Sequence, residues 1–589
     1  MEEDEGIGIS PRSPCHLKRP AIHVGDERPF QRNRLLHSSP FINQGSMQEG
    51  AAVSRVVVID GYIDEPASLG VPPFISPLVR ATFGAALAAG AEVELLTIDQ
   101  LRRGSRVPEA DLIAFLGGSA VPGRYIRGMP ASQQEMIRFA MTAQGGRLLG
   151  GPAALADSYA RHQVFDHFSP RDPAASVFDL LQGRPNSNRW RTLDEWNRWL
   201  MLGAEAVLAH PDFPQPLIAE METYRGCIRY KSGGCSFCVE PMKGMPVQRK
   251  PGDIVAEARR LVELGVRNFR IGAQTCIVSY QAIDNGTDTP VPSPHAIEEL
   301  LRGIADLGVE VLHLDNANPA VIAAHPQESH LVLESMARYC TPGNVLALGM
   351  ESADPKVVEA NNLNATPEQV LEAIRLINRA GGGVGSTGLP KLLPGLNFII
   401  GLDGESPETL SLNLEFLREV RAEGLLLRRI NIRQVMCIRR QFEPGVTHSQ
   451  FLKFKETVRR EIDQPTLRDL APKGRVLLRI YTDIREGNRT FGRQIGTYPL
   501  LVGFNYPLPL GVFIDAMVVD WGFRSLTAVE YPLKVNRCPM AALESLPSIG
   551  RKRAMRLVRH RPFRSAEELR RALDDDPTAE QLLPFLSFE

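Results

Sequence analysis

Two patterns of apolar residues, one typical of strands and one of helices, alternate along most of the chain. Short apolar runs typical of buried strands are followed by longer segments whose apolar residues recur at helical spacing. In the middle of the chain, the predicted helices are 253–265, 295–307, 330–339, 367–380 and 407–422, and the predicted strands are 267–272, 309–315, 344–352, 395–405 and 428–435. This alternation favours a parallel sheet with right-handed crossovers. With residues 224–226 (YRG) as a preceding strand, we expect a six-stranded partial (β/α) barrel.

The amino-terminal part shows the same alternation. Predicted strands with the sequences RVVVID, EVELLTI, DLIAFLGG and RLLGG alternate with predicted helices at 77–89 and 132–143. This pattern predicts a doubly wound α/β domain. The loop after its first strand lies where such sheets bind ligands, and Asp60, Tyr62 and Asp64 are its polar candidates.

Past the predicted barrel, the pattern changes to short strands. Segments 490–504 and 511–532 alternate like antiparallel strands with glycine turns, which predicts either a small β-barrel-like module or a lid on the preceding barrel. Residues 1–50 show no periodicity and are expected to be disordered, with Met47 as a candidate start. We therefore predict an α/β protein with a disordered leader at 1–50, a Rossmann-like domain at 51–215, a partial barrel at 216–445, a helical connection with a small β-barrel-like module at 446–535, and a helix-hairpin-helix at 536–589.

Composition limits the classes of protein to consider. A chain of 589 residues exceeds the usual capacity of one hydrophobic core, so several domains are expected. Its net charge of -1 gives no global attraction to nucleic acid, so any such binding must be local. No apolar run is long enough to span a bilayer, the start is acidic, and the cysteines are mostly scattered, which together suit a reducing cytoplasm.

One cluster of cysteines carries the strongest chemical signal. Cys227, Cys235 and Cys238 form a C-x7-C-x2-C run, in which Phe237 precedes the last thiol. Three thiolates can bind a four-iron cluster and leave one iron open for another ligand. The alternative is a structural zinc site, which needs four ligands. The other cysteines stand singly, at Cys15, Cys276, Cys340, Cys437 and Cys538. Spacing alone leaves both alternatives open.

Two predicted strand ends add to this signal. They read GMESADPKVVEANNLNATPEQ from Gly349 and LNFIIGLDGESPETL from Leu396. Together with the cysteine run, they resemble the radical S-adenosylmethionine (SAM) superfamily, in the branch that contains methylthiotransferases and the elongator catalytic subunit. The spacer between the first two cysteines is longer than is usual there, and Asp403 stands where proline is usual.

The resemblance implies a cofactor set and a reaction. Cys227, Cys235 and Cys238 would bind a 4Fe-4S cluster with SAM at its open iron, and reductive cleavage would give a 5'-deoxyadenosyl radical that abstracts hydrogen. An electron donor such as ferredoxin or flavodoxin would be a partner. The residues that the resemblance assigns to SAM are Phe237, Gly272, Gln274, Glu351, Ser352, Ile399 and Gly401.

These SAM residues have different expected roles. Glu351 and Ser352 would lie near the ribose or the methionyl end. Ile399 and Gly401 would shape the adenine pocket, and Phe237 would contribute backbone contacts to adenine. Gly272 and Gln274 occupy the place of the superfamily's Gly-Gly-Glu segment, where the Gln274 side-chain carbonyl can accept a hydrogen bond from the SAM amino group. Two of the predicted SAM residues also have ordinary structural explanations. Gly401 can be a turn glycine, and Glu351 can be a carboxylate that caps a helix.

The domain before the predicted barrel resembles the cobalamin-binding domain of one radical SAM class. The Gly150-Gly151 pair after a strand fits that resemblance, but the D-x-H-x-x-G segment is missing, and His162 and His167 stand in another context. Two alternatives stay open: a domain that binds cobalamin without that histidine, or a degenerate domain that contacts substrate or the barrel.

The carboxyl terminus carries a second resemblance. The segment MAALESLPSIGRKRAMRLVRHRPFRSAEELRRAL resembles a helix-hairpin-helix motif, with Ser548 in place of the first hairpin glycine. Its candidate nucleic-acid contacts are Ile549, Gly550, Arg551, Lys552 and Arg553. Backbone amides and basic side chains of this kind give salt-dependent, sequence-independent binding to phosphates. The alternatives are a solvated basic helix and a protein-docking motif.

Three functions follow from these observations. The first is a radical SAM enzyme that modifies a nucleic acid, with RNA as the favoured substrate. The second is a radical SAM enzyme that modifies a small molecule or a protein, with or without cobalamin. The third is a nucleic-acid-binding metalloprotein without catalytic activity.

Overall fold

The computed structural model describes residues 53–63, 74–118, 128–156 and 162–589. The predicted leader at 1–50 and the candidate Asp64 lie outside these residues. In the part of the chain that is described, no helix is both long enough and apolar enough to cross a membrane.

The amino-terminal region is a parallel sheet flanked by helices. Its strands are β1 (Arg55–Asp60), β2 (Glu92–Thr97), β3 (Leu112–Leu116), β4 (Gly146–Gly150) and β5 (His167–Ser169). Its helices are α1 (Pro77–Ala88), α2 (Ile98–Arg102), α3 (Gln133–Thr142), α4 (Pro173–Leu181) and α5 (Leu193–Gly203). The strand order is β2-β1-β3-β4-β5, and every pair is parallel. Val56 and Val58 pack in one hydrophobic cluster and Val57 and Ile59 in another, so both faces of β1 are covered, as in a doubly wound sheet.

The central region contains two parallel sheets of three strands each. The strands are β6 (Ala219–Met221), β9 (Asn268–Ile271), β10 (Val311–Leu314), β11 (Asn344–Glu351), β12 (Leu392–Ile400) and β13 (Ile430–Gln434), and the sheets have the orders β10-β9-β6 and β11-β12-β13. A parallel bridge between Ala317 and Leu348 connects the two sheets. The surrounding helices are α6 (Pro251–Leu264), α7 (Pro294–Ala305), α8 (Pro319–Ala324), α9 (Pro326–Tyr339), α10 (Pro355–Ala360), α11 (Pro367–Gly381) and α12 (Pro407–Ala422).

The prediction that residues 224–226 form the first barrel strand is wrong. Tyr224–Arg225 (β7) pairs antiparallel with Val247–Gln248 (β8), and the first parallel strand is Ala219–Met221 instead. The physical reason is the turn that follows: Gly226 has φ +104 and leads the chain out of the sheet into the cysteine loop, and the Tyr224 hydroxyl donates to the Cys276 carbonyl at 2.7 Å. The α/β class and the parallel strands are confirmed.

The amino-terminal sheet and the central sheets are joined through buried contacts. Ile75, just before α1, pairs with Ala219 on the edge strand β6. Arg80 on α1 forms a fully buried ion pair with Glu257 on α6 at 2.5 Å, and Glu257 also pairs with Arg249 at 2.6 Å. Removing one member of such a group leaves an uncompensated buried charge, which costs about 3–5 kcal/mol.

The carboxyl-terminal region consists of two helices, a closed β-barrel and four short helices. Helices α13 (His448–Val458) and α14 (Gln464–Leu470) precede the barrel, whose strands are β14 (Val476–Glu486), β15 (Arg489–Gln494), β16 (Leu501–Phe504), β17 (Phe513–Trp521) and β18 (Ser525–Glu530). Strands β19 (Leu533–Lys534) and β20 (Leu586–Ser587) bracket α15 (Met540–Glu544), α16 (Arg551–Arg559), α17 (Ala566–Leu573) and α18 (Asp576–Leu582). The barrel and these helices share one hydrophobic cluster.

Candidate active site

The three cysteines lie on the loop between β7 and β8. All three are free and partly exposed. Burial raises the pKa of Cys227 and Cys235, and raises that of Cys238 to about 12. Among the described residues, no group of three His, Cys, Asp or Glu side chains is arranged to hold a single metal ion. Ligands of a four-iron cluster bind separate irons, so they need not converge on one point.

The long spacer is folded against the segment that follows Glu351. Arg229, in a short helical turn of the spacer, donates to the Cys235 Sγ at 3.1 Å and to the Asn362 carbonyl at 2.9 Å. Asn362 in turn donates through Nδ2 to the carbonyls of Ser232 and Gly234, each at 3.1 Å. The loop therefore has a fixed conformation around its central cysteine.

A second arginine holds the same loop from the segment after β13. The Arg439 guanidinium donates to the carbonyls of Gly233 at 3.2 Å, Cys235 at 3.0 Å and Cys238 at 3.0 Å. Sequence reasoning missed Arg229 and Asn362. The only signal available was the presence of Arg229 between the first two cysteines.

Glu351 ends β11 in a conformation that is unusual for a non-glycine residue. Its φ is +58, its side chain is 8 % exposed, and its Oε2 has no hydrogen-bond partner among the described residues. Burial raises the pKa of this carboxyl to about 8, and the Arg229 charge opposes that rise. A strained, buried and unsatisfied carboxyl is costly. The ribose hydroxyls of SAM would supply the missing donors, so Glu351 fits the role that the resemblance implies.

Phe237 and Ile399 are brought together on the adenine side of the predicted site. They and Cys235 pack against one small cluster formed by Val357, Leu363, Leu402 and Phe442. Nearby, Gly401 has φ +97 and donates its backbone N–H to the Glu405 Oε2 at 2.8 Å. An apolar surface beside the cysteine loop suits the face of an aromatic ring.

Other residues of the chain contact three more of the predicted SAM residues, which are Gly272, Gln274 and Ser352. A Cβ on Gly272 would lie 2.6 Å from the Glu220 Oε1, so the buried Glu220 side chain would have to shift. The buried Gln274 side chain accepts from the Thr223 hydroxyl at 3.2 Å and donates to the Ile271 carbonyl at 3.1 Å. The Ser352 hydroxyl accepts from the Asp354 N–H at 3.1 Å. The SAM contacts predicted for these three residues stay predictions.

A segment of the carboxyl-terminal barrel reaches the central strands. The Tyr498 hydroxyl donates to the Asp315 carboxylate at 2.7 Å, and the Arg429 guanidinium lies 4.0 Å from the centre of the Tyr498 ring. Tyr498 also packs with Val345 and Leu393, near the first residues of β11 and β12. The small barrel therefore contacts the amino ends of these strands, whereas Glu351 and Gly401 lie at their carboxyl ends.

The polar residues of the amino-terminal domain also have internal partners. Asp60 is buried and accepts from the Tyr62 N–H at 2.7 Å, while the Tyr62 hydroxyl donates to Asp99 at 3.0 Å. A Cβ on Gly150 would lie 2.6 Å from Pro173, so packing alone requires that glycine. Cobalamin binding by this domain stays one of the two alternatives.

The candidate nucleic-acid residues divide into two groups. Ile549 is buried in the core, and Arg553 donates to the Ser548 carbonyl at 2.8 Å and pairs with Asp575 at 2.5 Å. Gly550, Arg551 and Lys552 are exposed. Ser548 has φ +62. The glycine that usually stands at this position of a helix-hairpin-helix motif adopts such a φ without strain.

Comparisons with known proteins give one matching family model and several similar proteins. The model of the Radical SAM superfamily matches residues 221–417. An uncharacterized protein of Methanocaldococcus jannaschii is 42% identical over 81% of this chain and 93% of its own length. The tRNA-2-methylthio-N(6)-dimethylallyladenosine synthase of Mycobacteroides abscessus is 26% identical over 39% of this chain and 43% of its own. The structure of the radical S-adenosylmethionine methyltransferase TsrM from Kitasatospora setae is similar over 65% of this chain and 72% of its own chain. The sequence identity to it is 12%, and the TM-score is 0.45.

Proposed function

The chain belongs to the radical SAM superfamily, and we propose from this premise that Cys227, Cys235 and Cys238 bind its 4Fe-4S cluster and that RNA is its substrate. The observation that carries the first part is the cysteine loop itself. Two arginines hold the loop, Arg229 through the Cys235 Sγ and Arg439 through the Cys235 and Cys238 carbonyls. When bound, the cluster and SAM supply one-electron reductive cleavage and hydrogen abstraction from the substrate.

The remaining site residues are proposed to orient SAM. Glu351 accepts hydrogen bonds from the ribose, and Phe237, Ile399 and Gly401 surround the adenine, whose ring meets the apolar surface beside Cys235. Ser352, Gly272 and Gln274 shape the methionyl side. Because Gln274 carries no charge, it contributes a weaker hydrogen bond than a carboxylate would.

Three features support RNA as the substrate class. A relative that is similar over 39% of this chain carries the name tRNA-2-methylthio-N(6)-dimethylallyladenosine synthase. The chain also has a closed five-stranded barrel and a basic helix, α16, at its carboxyl end. The exposed Arg551 and Lys552, beside the backbone N–H groups at the start of α16, are suited to contact phosphates.

Anaerobic reconstitution tests the cluster. The wild-type protein, supplied with iron, sulfide, SAM and a reductant, is expected to show broad visible absorption and to release 5'-deoxyadenosine. Cys235→Ala is expected to lose both. Cys276→Ala, which removes a buried free thiol outside the loop, is the matched control and should retain the absorption. Absence of absorption and product in the wild type would contradict the proposal.

Salt-dependent binding tests the RNA substrate class. Each lost phosphate contact lowers the salt dependence of RNA binding by about 0.7–0.9 in log-log slope, so Arg551→Ala with Lys552→Ala should lower it by about 1.4–1.8. Arg570→Ala with Arg571→Ala is the control, because acidic residues on α17 and α18 already pair with these arginines. RNA binding that is equal in both double variants would contradict the assignment, and co-purified corrinoid without RNA would favour the small-molecule or protein alternative.

A further inference from the structure

Arg229 is the only side chain of the long spacer for which the structure gives a hydrogen bond to one of the three thiols. Its residue is 7% exposed. Each guanidinium nitrogen has its own partner: Nε donates to Asp288 at 3.0 Å, Nη1 to the Cys235 Sγ at 3.1 Å, and Nη2 to the Asn362 Oδ1 at 2.9 Å. This three-way fork is specific to arginine, since a lysine ammonium cannot reproduce its planar geometry.

The fork is itself held in place. Asp288 also accepts from the Ser232 hydroxyl at 2.6 Å, and Asn362 donates to two carbonyls of the spacer. The guanidinium can therefore keep its position when the charge on the neighbouring sulfur changes. Its positive charge lies beside Cys235 within a largely buried environment, where it is screened less than at a surface.

We propose that Arg229 is a positioning residue that raises the reduction potential of the cluster bound by Cys235 and fixes the orientation of that ligand. This inference rests on the proposed cluster. Hydrogen bonds to the sulfurs and net charge are among the properties that set the potential of such clusters. Reduction adds one electron from a small reduced electron-carrier protein. A nearby cation and an N–H···S hydrogen bond stabilise the more negative state, so they favour reduction.

Redox titration of the reconstituted protein tests the inference. Loss of one charge-assisted hydrogen bond is expected to change the one-electron reduction equilibrium about tenfold, which corresponds to a potential about 59 mV more negative. Arg229→Gln, which removes the charge, should show this shift, and Arg229→Lys, which keeps the charge, should show a smaller one. Ser232→Ala removes one of the contacts to Asp288 but leaves the guanidinium and its charge beside the thiol, so it should shift the potential by less than Arg229→Gln does.

A second measurement identifies the nitrogen near the cluster. In protein grown with isotopically labelled arginine, pulsed electron paramagnetic resonance of the reduced cluster without SAM should detect an arginine nitrogen in the wild type that is missing in Arg229→Gln, although Arg439 also contacts the loop. Absence of that coupling would overturn the inference, as would Arg229→Gln with full iron content and an unchanged potential. A shift of equal size in Ser232→Ala would also overturn it, because a general disturbance of the loop would then explain the effect. Failure of the wild type to bind iron would instead contradict the proposed function.

Discussion

Glu351 should make the stability of the metal-free protein depend on pH in a specific window. Its carboxyl is 8 % exposed, and burial raises its pKa from 4.5 to about 8. At a pH between these two pKa values, the Glu351 carboxyl keeps its proton in the folded protein, whereas in the unfolded chain it has released that proton. The contribution of Glu351 to stability is therefore fully present below the unfolded pKa and is lost as the pH rises through the folded pKa. Integrated from about pH 5 to about pH 8, the loss is about 3.5 kcal/mol.

The test is urea unfolding of wild-type protein and Glu351→Gln without metal, under reducing conditions, across that pH range. Glutamine is nearly isosteric and does not titrate, so the variant should lose less stability towards pH 8, and the difference between the two proteins isolates this carboxyl. The wild type and the variant carry the same thiols, so thiol titration cancels in the difference between the two proteins. Glu359→Gln, an exposed glutamate on α10, should behave like the wild type. Identical pH dependence in Glu351→Gln and the wild type would refute the reasoning.

Three further predictions concern stability and cluster retention. Gly496→Ala places a Cβ 2.5 Å from the His313 ring and should destabilise the protein by about 1–3 kcal/mol in urea, whereas Gly252→Ala, which meets open space, should have little effect. Arg80→Met leaves the buried Glu257 with one partner fewer and should cost about 3–5 kcal/mol; a cost near zero would show that Arg249 alone compensates the charge. Arg439→Ala removes three hydrogen bonds to loop carbonyls and should speed iron loss to a chelator, measured by the decay of visible absorption, while Arg418→Ala, which breaks an exposed ion pair with Glu461, should not.

The sequence placed most helices and strands of the central region, because both hydrophobic periods are strong there. The predicted helix 407–422 coincides with Pro407–Ala422, and the predicted strand 309–315 contains Val311–Leu314. The first barrel strand was misplaced, since the turn at Gly226 and the hydroxyl contact of Tyr224 cannot be read from periodicity. The family was also evident in the sequence, because its cysteines and strand-end motifs are local.

Only the tertiary structure decided which distant residues surround those motifs. Arg229 and Asn362 are far apart in the chain yet share hydrogen bonds, and Arg439 reaches the same loop from a third segment. Likewise, Tyr498 meets Asp315 only because the small barrel packs on the central strands. The sequence by itself determined the local periods and the ligand residues, whose signals lie within one segment. Contacts between segments depend on packing and burial, which no single segment encodes, and these contacts fix the charge around Cys235 and the raised pKa of Glu351.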